Sequence, residues 1–315
     1  MCVLAQVDER LVSRTWKTDN FWAETYDKPI ISARGEVEET GDKINIFHWN
    51  SEGRIKFDAK DLDPDVWIGY RALTLSINSD AEILHHPFAD VAVAAAVRLG
   101  SIGTHNTIYV SAGAGTANDG RWDNSSALFP VATIEVAHKS DADTVWHAGL
   151  TLDGNRSLFP SIPLPYFFYE TRFGETLTLV AGFPRTEVVF RPFKPLMLSA
   201  QWAFPSTASG RIEVDLGSGF SVFADASRRI DGFHLRHEGR TRLFYEMNTA
   251  EFGFRWVTTW MDVGVSAGIA FGQRTFTGDD LRHRTRGNSI EDLPFLAITF
   301  PSTFWAAPFS SGVER

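Results

Sequence analysis

Arg211, Glu213 and Asp215 alternate with Ile212, Val214 and Leu216, so in an extended chain three charges fall on one side and three aliphatic side chains on the other. Glu251 and Arg255 repeat this parity beside Phe252 and Phe254. Whole charges in mid-strand suit a water-filled lining whose field acts on passing ions, so these five are the expected pore-lining residues. A second group sits in two connections that resemble one another. Arg228 to Arg242 holds Leu235-Arg236-His237, and Gly278 to Asp292 holds Leu281-Arg282-His283 behind Asp279-Asp280. Arg236, His237, Asp279, Asp280, Arg282 and His283 are thus candidates for contacting the phosphates or sugars of a lipopolysaccharide surface, or for constricting a pore. A solvated, salt-bridged loop uses the same residue types.

Bond-making chemistry finds less support. His85-His86 with Asp90 offers two imidazoles and a carboxylate, but adjacent residues of a strand point to opposite faces. Asp61, Asp63 and Asp65 alternate without the Gly and Glu of an EF-hand and read as an acidic turn at Leu62-Asp63-Pro64. Gly217-Ser218-Gly219 lacks the spacing of a nucleophile elbow, and Gly113-Ala114-Gly115 is a small-residue strand rather than a phosphate loop. His138 and His147 leave open a serine and histidine on neighbouring strands, as in outer-membrane lipases. No metal or cofactor is expected, and no catalytic residue is assigned.

The elements that must position these residues read as strands. Leu196 to Phe204, Arg211 to Leu216 and Val263 to Phe271 alternate cleanly. Weaker runs lie near Ile31 to Glu38, Arg54 to Ala59, Val66 to Ile77, Asp90 to Leu99, Thr107 to Ala114, Val131 to His138 and Thr144 to Leu152. Others lie near Tyr166 to Thr171, Thr176 to Phe183, Thr186 to Phe190, Phe220 to Ser227, Leu243 to Trp256 and Phe295 to Phe300. Merging neighbours gives about twelve strands, within about 10–14. Several runs approach the roughly 9–11 residues that a tilted membrane strand needs. Connections alternate between tight ones and long charged ones, as in outer-membrane barrels. Five Phe-Pro pairs, at Phe129, Phe159, Phe183, Phe204 and Phe300, sit at run ends, where a ring can lie at a membrane interface. The ten tryptophans fit a core or such a girdle, and as sugar platforms they would fit a glycan-binding sandwich.

Composition bounds the alternatives. Thirty Lys and Arg against 39 Asp and Glu leave a net charge of −9, which disfavours nucleic acid as a partner. With 43% hydrophobic and 22% charged residues the chain is neither disordered nor a helical membrane protein, its densest apolar run being Val91 to Val97. The single Cys2 excludes an intrachain disulfide. Val3-Leu4-Ala5 before Gln6 has the small residues of a cleavage site, so Met1 to Ala5 reads either as the remnant of an export signal or as a plain start.

The stretch from Phe159 to Phe233, with its Pro160 to Pro165 entry, Gly182-Phe183-Pro184, the Arg191 to Pro195 turn and the later Gly278-Asp279-Asp280-Leu281 loop, resembles uncharacterised bacterial outer-membrane porin-like β-barrel proteins. The resemblance covers the second half of the chain and implies a fold and an outer-membrane address, with no reaction to carry over. The expected fold is all-β, an antiparallel up-and-down transmembrane β-barrel over residues 28–305. Residues 1–27 form an extension read as a short helix or plug, and residues 306–315 a tail. The expected role is a porin-like passive channel or structural envelope protein, with outer-membrane lipid, lipopolysaccharide and small solutes or ions as partners. The alternative is a secreted soluble all-β protein that binds or hydrolyses glycans.

Overall fold

The structure is a computed structural model that describes residues 21–57, 66–79, 87–235, 241–258, 262–285 and 287–305. The first strands are β1 (Phe21–Ser32), β2 (Gly35–Glu36), β3 (Lys43–Lys56), β4 (Val66–Ser79), β5 (Pro87–Ile102) and β6 (Asn106–Asn118). They are followed by β7 (Leu128–Lys139), β8 (Thr144–Asp153), β9 (Leu164–Phe173), β10 (Leu177–Phe183), β11 (Arg185–Phe193) and β12 (Leu196–Ala203). The last are β13 (Thr207–Gly217), β14 (Phe220–His234), β15 (Arg242–Val257), β16 (Asp262–Gly278), β17 (Asn288–Ile290) and β18 (Leu293–Trp305).

Each long strand pairs antiparallel with the next, and β1 closes the ring by pairing with both β3 and β18, Ile30 lying opposite His48 and Ala297. The short β2 and β17 only extend the ladders of β3 and β16, which leaves a closed barrel of 18 − 2 = 16 strands. The expected count of about twelve is therefore too low. Runs such as Thr176 to Phe183 and Thr186 to Phe190 are separate strands, β10 and β11, joined at Pro184 alone, and a turn that short hides a boundary. The barrel also begins before Lys28, because Phe21 to Asp27 lie in β1, the backbone of which pairs along its length with β18 and β3. Residues 1–20 and 306–315 of the expected extension and tail lie outside the described residues.

Phe21 pairs with Trp305, so both ends of the barrel reach the same rim, and tight turns such as Lys194-Pro195 and Ser218-Gly219 share it. The other rim carries the long connections 154–163 and 279–287. Along β15 near the tight rim, Phe252, Phe254 and Trp256 are exposed outward while Glu251 is buried inward. Val93, Ile134, Leu150, Ile212 and Leu296 carry the outward apolar band to other strands. Of the five Phe-Pro pairs, Phe183 and Phe204 meet at the long-loop rim with tilted rings, their centres 5.1 Å apart, whereas Phe129 is buried inside the barrel.

Toward the long-loop rim the pattern inverts. On β4 the inward Leu73, Leu75 and Ile77 are buried, whereas outward Thr74 and Ser76 are polar. Those aliphatics join Ile44, Ile46, Phe88, Phe233, Leu243, Tyr245 and Phe295 in one apolar cluster inside the barrel. The charged lining expected of the lumen does not extend to this end, because alternation alone does not reveal which face of a strand carries the core.

The cluster forms because the upper parts of β14 and β15 turn inward. Six consecutive residues, Arg242 to Met247, are buried, so this strand is covered on both faces, which a barrel wall facing solvent or lipid is not. A bulge skips Met247 in the pairing of β15 with β16, and Gly272 beside it takes a φ of 56°, a conformation glycine adopts without strain. Beyond the bulge, Tyr245 and Leu243 pack into the apolar cluster while Arg242 and Phe244, of opposite parity, face the other way. His234 bridges to Asn118 of β6, so the hairpin reaches a strand far around the ring. Arg228 to Arg242, expected as one long loop, is mostly strand, with only Leu235 to Thr241 between β14 and β15.

Gly232 gives this partition its close fit, since a Cβ there would meet the Arg242 Nη2 at 2.4 Å and the Phe244 ring at 2.9 Å. Gly232→Val is expected to unseat Arg242 and cost about 1–3 kcal/mol, as overpacking of a filled site does. The expected readout is a lower urea midpoint for the folded band on heat-modifiability gels, and an unchanged midpoint would contradict this packing.

Candidate functional site

Among the described residues, the interior beside the inserted hairpin includes two adjoining cavities. One, of about 750 Å³ and open to solvent, lies between Arg71 and Asp90 of the β4–β5 wall, the segment Asp153 to Ser157, the Phe204-Pro205 turn and Arg229 to Gly232. The other, about 600 Å³ counting the space open to solvent, lies between β1, β3 and β13 to β15, and the two share Thr207 and Arg229.

Their walls carry buried ion pairs, which must be matched because an unpaired charge in such a setting is costly. Arg71 bonds Asp153 at 2.9 Å and lies 3.4 Å from Asp90. Arg229 binds Asp231 through two nitrogens at 2.7 and 2.8 Å. Lys28 pairs with Glu251, which also accepts from Ser266 at 2.9 Å. Arg211 reaches Asp225 at 3.3 Å while lying over the Phe223 ring, 4.3 Å from its centre.

Asn155 joins the two sides of the interior. Its side-chain amide donates to Asp90 on β5 at 3.0 Å and to the Gly232 carbonyl on β14 at 3.1 Å. Its own carbonyl and side-chain oxygen accept from Arg242 at 2.8 and 2.7 Å, and a further Arg242 nitrogen donates to the Arg156 carbonyl at 3.0 Å. The β8–β9 connection is thereby clasped to the inserted hairpin.

Of the residues expected to line a pore, Arg211, Glu213, Glu251 and Arg255 all face inward, from β13 and β15 on either side of β14. Arg255 links Glu213 at 3.2 Å to Asp262 at 2.8 Å, and Ser221 donates to Glu213 at 2.8 Å. Asp215 shares their parity but sits exposed at the tight rim, where it accepts from the Gly217 amide. Arg236 and His237 lie outside the described residues, as do His85, His86, Asp61, Asp63 and Asp65. Asp279 is exposed, while Asp280 is buried and gathers Arg282 and His283 around it. Reading the sequence missed Arg71, Asp153, Asn155, Arg229, Asp231 and His48. A signal existed for Arg71, a lone charge inside the alternating run Val66 to Ile77, but Asn155 falls in a loop whose inward path has no periodicity to announce it. Of the two histidines left open for catalysis, His147 bonds Glu135 at 2.8 Å, which also accepts from Tyr166 at 2.6 Å, and His138 bonds Asn106 at 2.9 Å.

No protein-family model matches the chain, and no curated protein matches it. Among solved structures it is similar to OccK7 (OpdD) of Pseudomonas aeruginosa, at 11% identity and a TM-score of 0.35, over 90% of this chain and 100% of that one. It is also similar to the P. putida toluene transporter TodX, at 8% identity and a TM-score of 0.37, over 95% and 94%. A mutant of the Rh. blastica porin aligns at 9% identity and a TM-score of 0.29, over 89% and 99%. At such scores the role of this barrel has to come from its own geometry.

The Asp280 loop lies outside the strands and reaches the same clasp, the Leu281 amide donating to the Ser157 carbonyl at 3.0 Å and Arg282 covering Phe159. Burial resists ionisation of Asp280, but hydrogen bonds from the Arg282 side chain and from the Arg282 and His283 amides outweigh it and hold the carboxyl at about 2. Its folded value is thus below the ordinary 3.8, so its contribution to the loop is complete above that range and lost as pH falls toward about 2. Pepsin cleavage within 279–287 is therefore expected to rise steeply between about pH 4 and pH 2 in wild type, and Asp280→Asn to abolish the pH step. A wild-type cleavage rate that follows only the protease's own pH profile would contradict this.

Proposed function

We propose that this chain is an outer-membrane β-barrel that works as a porin-like passive channel for small solutes or ions, without chemistry of its own. The observation that carries the reading is the opposition of faces in one closed barrel. Phe252, Phe254 and Trp256 point outward while Glu251 and Arg255 of the same strand join an inward network of ion pairs. Antiparallel closure satisfies the backbone without an edge, which is the condition for spanning a bilayer with strands. The longest described connections, 119–127, 154–163 and 279–287, share one rim with the one-residue turn at Pro184, and a rim with long connections suits an external side. The inserted hairpin and the apolar cluster occupy part of the interior, which favours small solutes over large ones. The rim carrying Asp280, Arg282 and His283 would then face lipopolysaccharide.

Reconstituted in planar bilayers, the chain is expected to give ion conductance. Charge reversal at Arg211, Glu213, Glu251 and Arg255 is expected to move the reversal potential in a salt gradient, and Asp215 at the rim to move it least. Conductance with a reversal potential unaltered across all five variants would remove these residues from the pathway, and absence of conductance from a folded barrel would contradict the channel reading.

A further inference from the structure

The two interior cavities meet at a partition built from strands that are not neighbours in the ring. Arg229 lines both cavities, Asp231 lines the one beside β4 and β5, and His48 lines the one beside β1 and β3. Arg229 and Asp231 belong to β14, where it turns inward, and His48 belongs to β3, so the three side chains approach one another across the interior. Among the described residues, Thr207 is the one other that both linings share, and it stands on β13 beside Arg229.

This partition is firm on one side and unfastened on the other. Arg229 holds Asp231 through Nε and Nη2 at 2.7 and 2.8 Å, so the two act as a unit and cancel each other's charge. Across the interior, the His48 Nε2 stops 3.7 Å from the Asp231 carboxylate, beyond hydrogen-bond reach, and neither ring nitrogen has a hydrogen-bond partner among the described residues. His48 is 1% exposed, and a buried polar group left unbonded carries a cost of about 1–3 kcal/mol. Packing does not ask for an imidazole here. His48 lies opposite Ile30 and Leu75, two members of the apolar cluster, and follows Ile44 and Ile46 on the same face of β3, so an apolar side chain would extend the core without that cost. A polar group kept at a cost in such a place calls for a role other than packing.

We propose that the seam between His48 and the Arg229–Asp231 pair is the constriction of the solute path, and that these three residues set what passes from one cavity to the other. Parting the seam breaks no hydrogen bond, because its two sides share none. The ion pair is neutral as a unit, so the seam sorts solutes by size before charge. The proposal rests on the channel reading and locates its narrowest point.

Unit conductance in planar bilayers tests it. His48→Ala is expected to raise the conductance about twofold or more and His48→Trp to lower it by as much, while Arg191→Gln near the tight rim, outside both linings, leaves it unchanged. Arg229→Gln strips Asp231 of its cation and is expected to move the reversal potential in a potassium chloride gradient toward the potassium potential. Should His48→Trp fail to migrate as a folded barrel, His48→Ala against wild type decides. A conductance indifferent to the size of the side chain at position 48 would overturn the constriction and leave the channel standing. A folded barrel that conducts only as His48→Ala would keep the constriction and contradict a passive open channel, and one that conducts in no form would overturn both.

Discussion

A buried guanidinium must be given acceptors, and the interior of this barrel is arranged around the one on Arg242, which is 1% exposed. Its partners are the carbonyls of Asn155 and Arg156 and the Asn155 side chain, none of them on its own hairpin. Satisfying it brings the β8–β9 connection inward and fixes the hairpin across the lumen. Asn155 then ties the assembly to β5 through Asp90 and to β14 through the Gly232 carbonyl. Removing any member leaves buried polar groups without partners, so the connection and the hairpin stand or fall together.

This clasp divides the barrel into regions that follow opposite rules. Near the tight rim, apolar residues face outward and the interior holds a wall of ion pairs from Lys28 to Asp262. Near the long-loop rim, the interior holds an apolar core closed by Phe88 against Phe233, with ring centres 5.3 Å apart. The first arrangement suits a band in lipid around a wet lumen, and the second suits a cap in water around a dry centre. Between them lie the two charged cavities, so a solute crossing the barrel would meet paired charges rather than an open aqueous bore.

Much of the wall was legible in the sequence, because period-two alternation is a local property. Leu196 to Phe204, Arg211 to Leu216 and Val263 to Phe271 fall within or across β12, β13 and β16, and the alanine-rich run near Ala89 to Val97 is strand β5. The first strands were displaced for a physical reason. The inward face of β3 mixes Ile44 and Ile46 with His48 and Asn50, so neither parity is uniformly apolar and the alternation dissolves where the strand crosses from dry to wet interior. That Arg211, Glu213, Glu251 and Arg255 share the inward face was legible because their neighbours on the chain are apolar. Asn155, Arg229, Asp231 and Arg242 were not, because their meaning depends on contacts across the ring that no spacing encodes.

The central claim is that one face of each strand near the tight rim meets lipid and the other meets water. The most direct measurement uses Cys2→Ser protein with single cysteines at positions 251, 252, 254 and 255 of β15, labelled with a fluorophore and reconstituted into phospholipid vesicles. Quenching of positions 252 and 254 by spin-labelled lipid, with 251 and 255 quenched instead by aqueous iodide, is the result this structure predicts. Equal quenching of all four by iodide, with none by lipid, would contradict a membrane barrel.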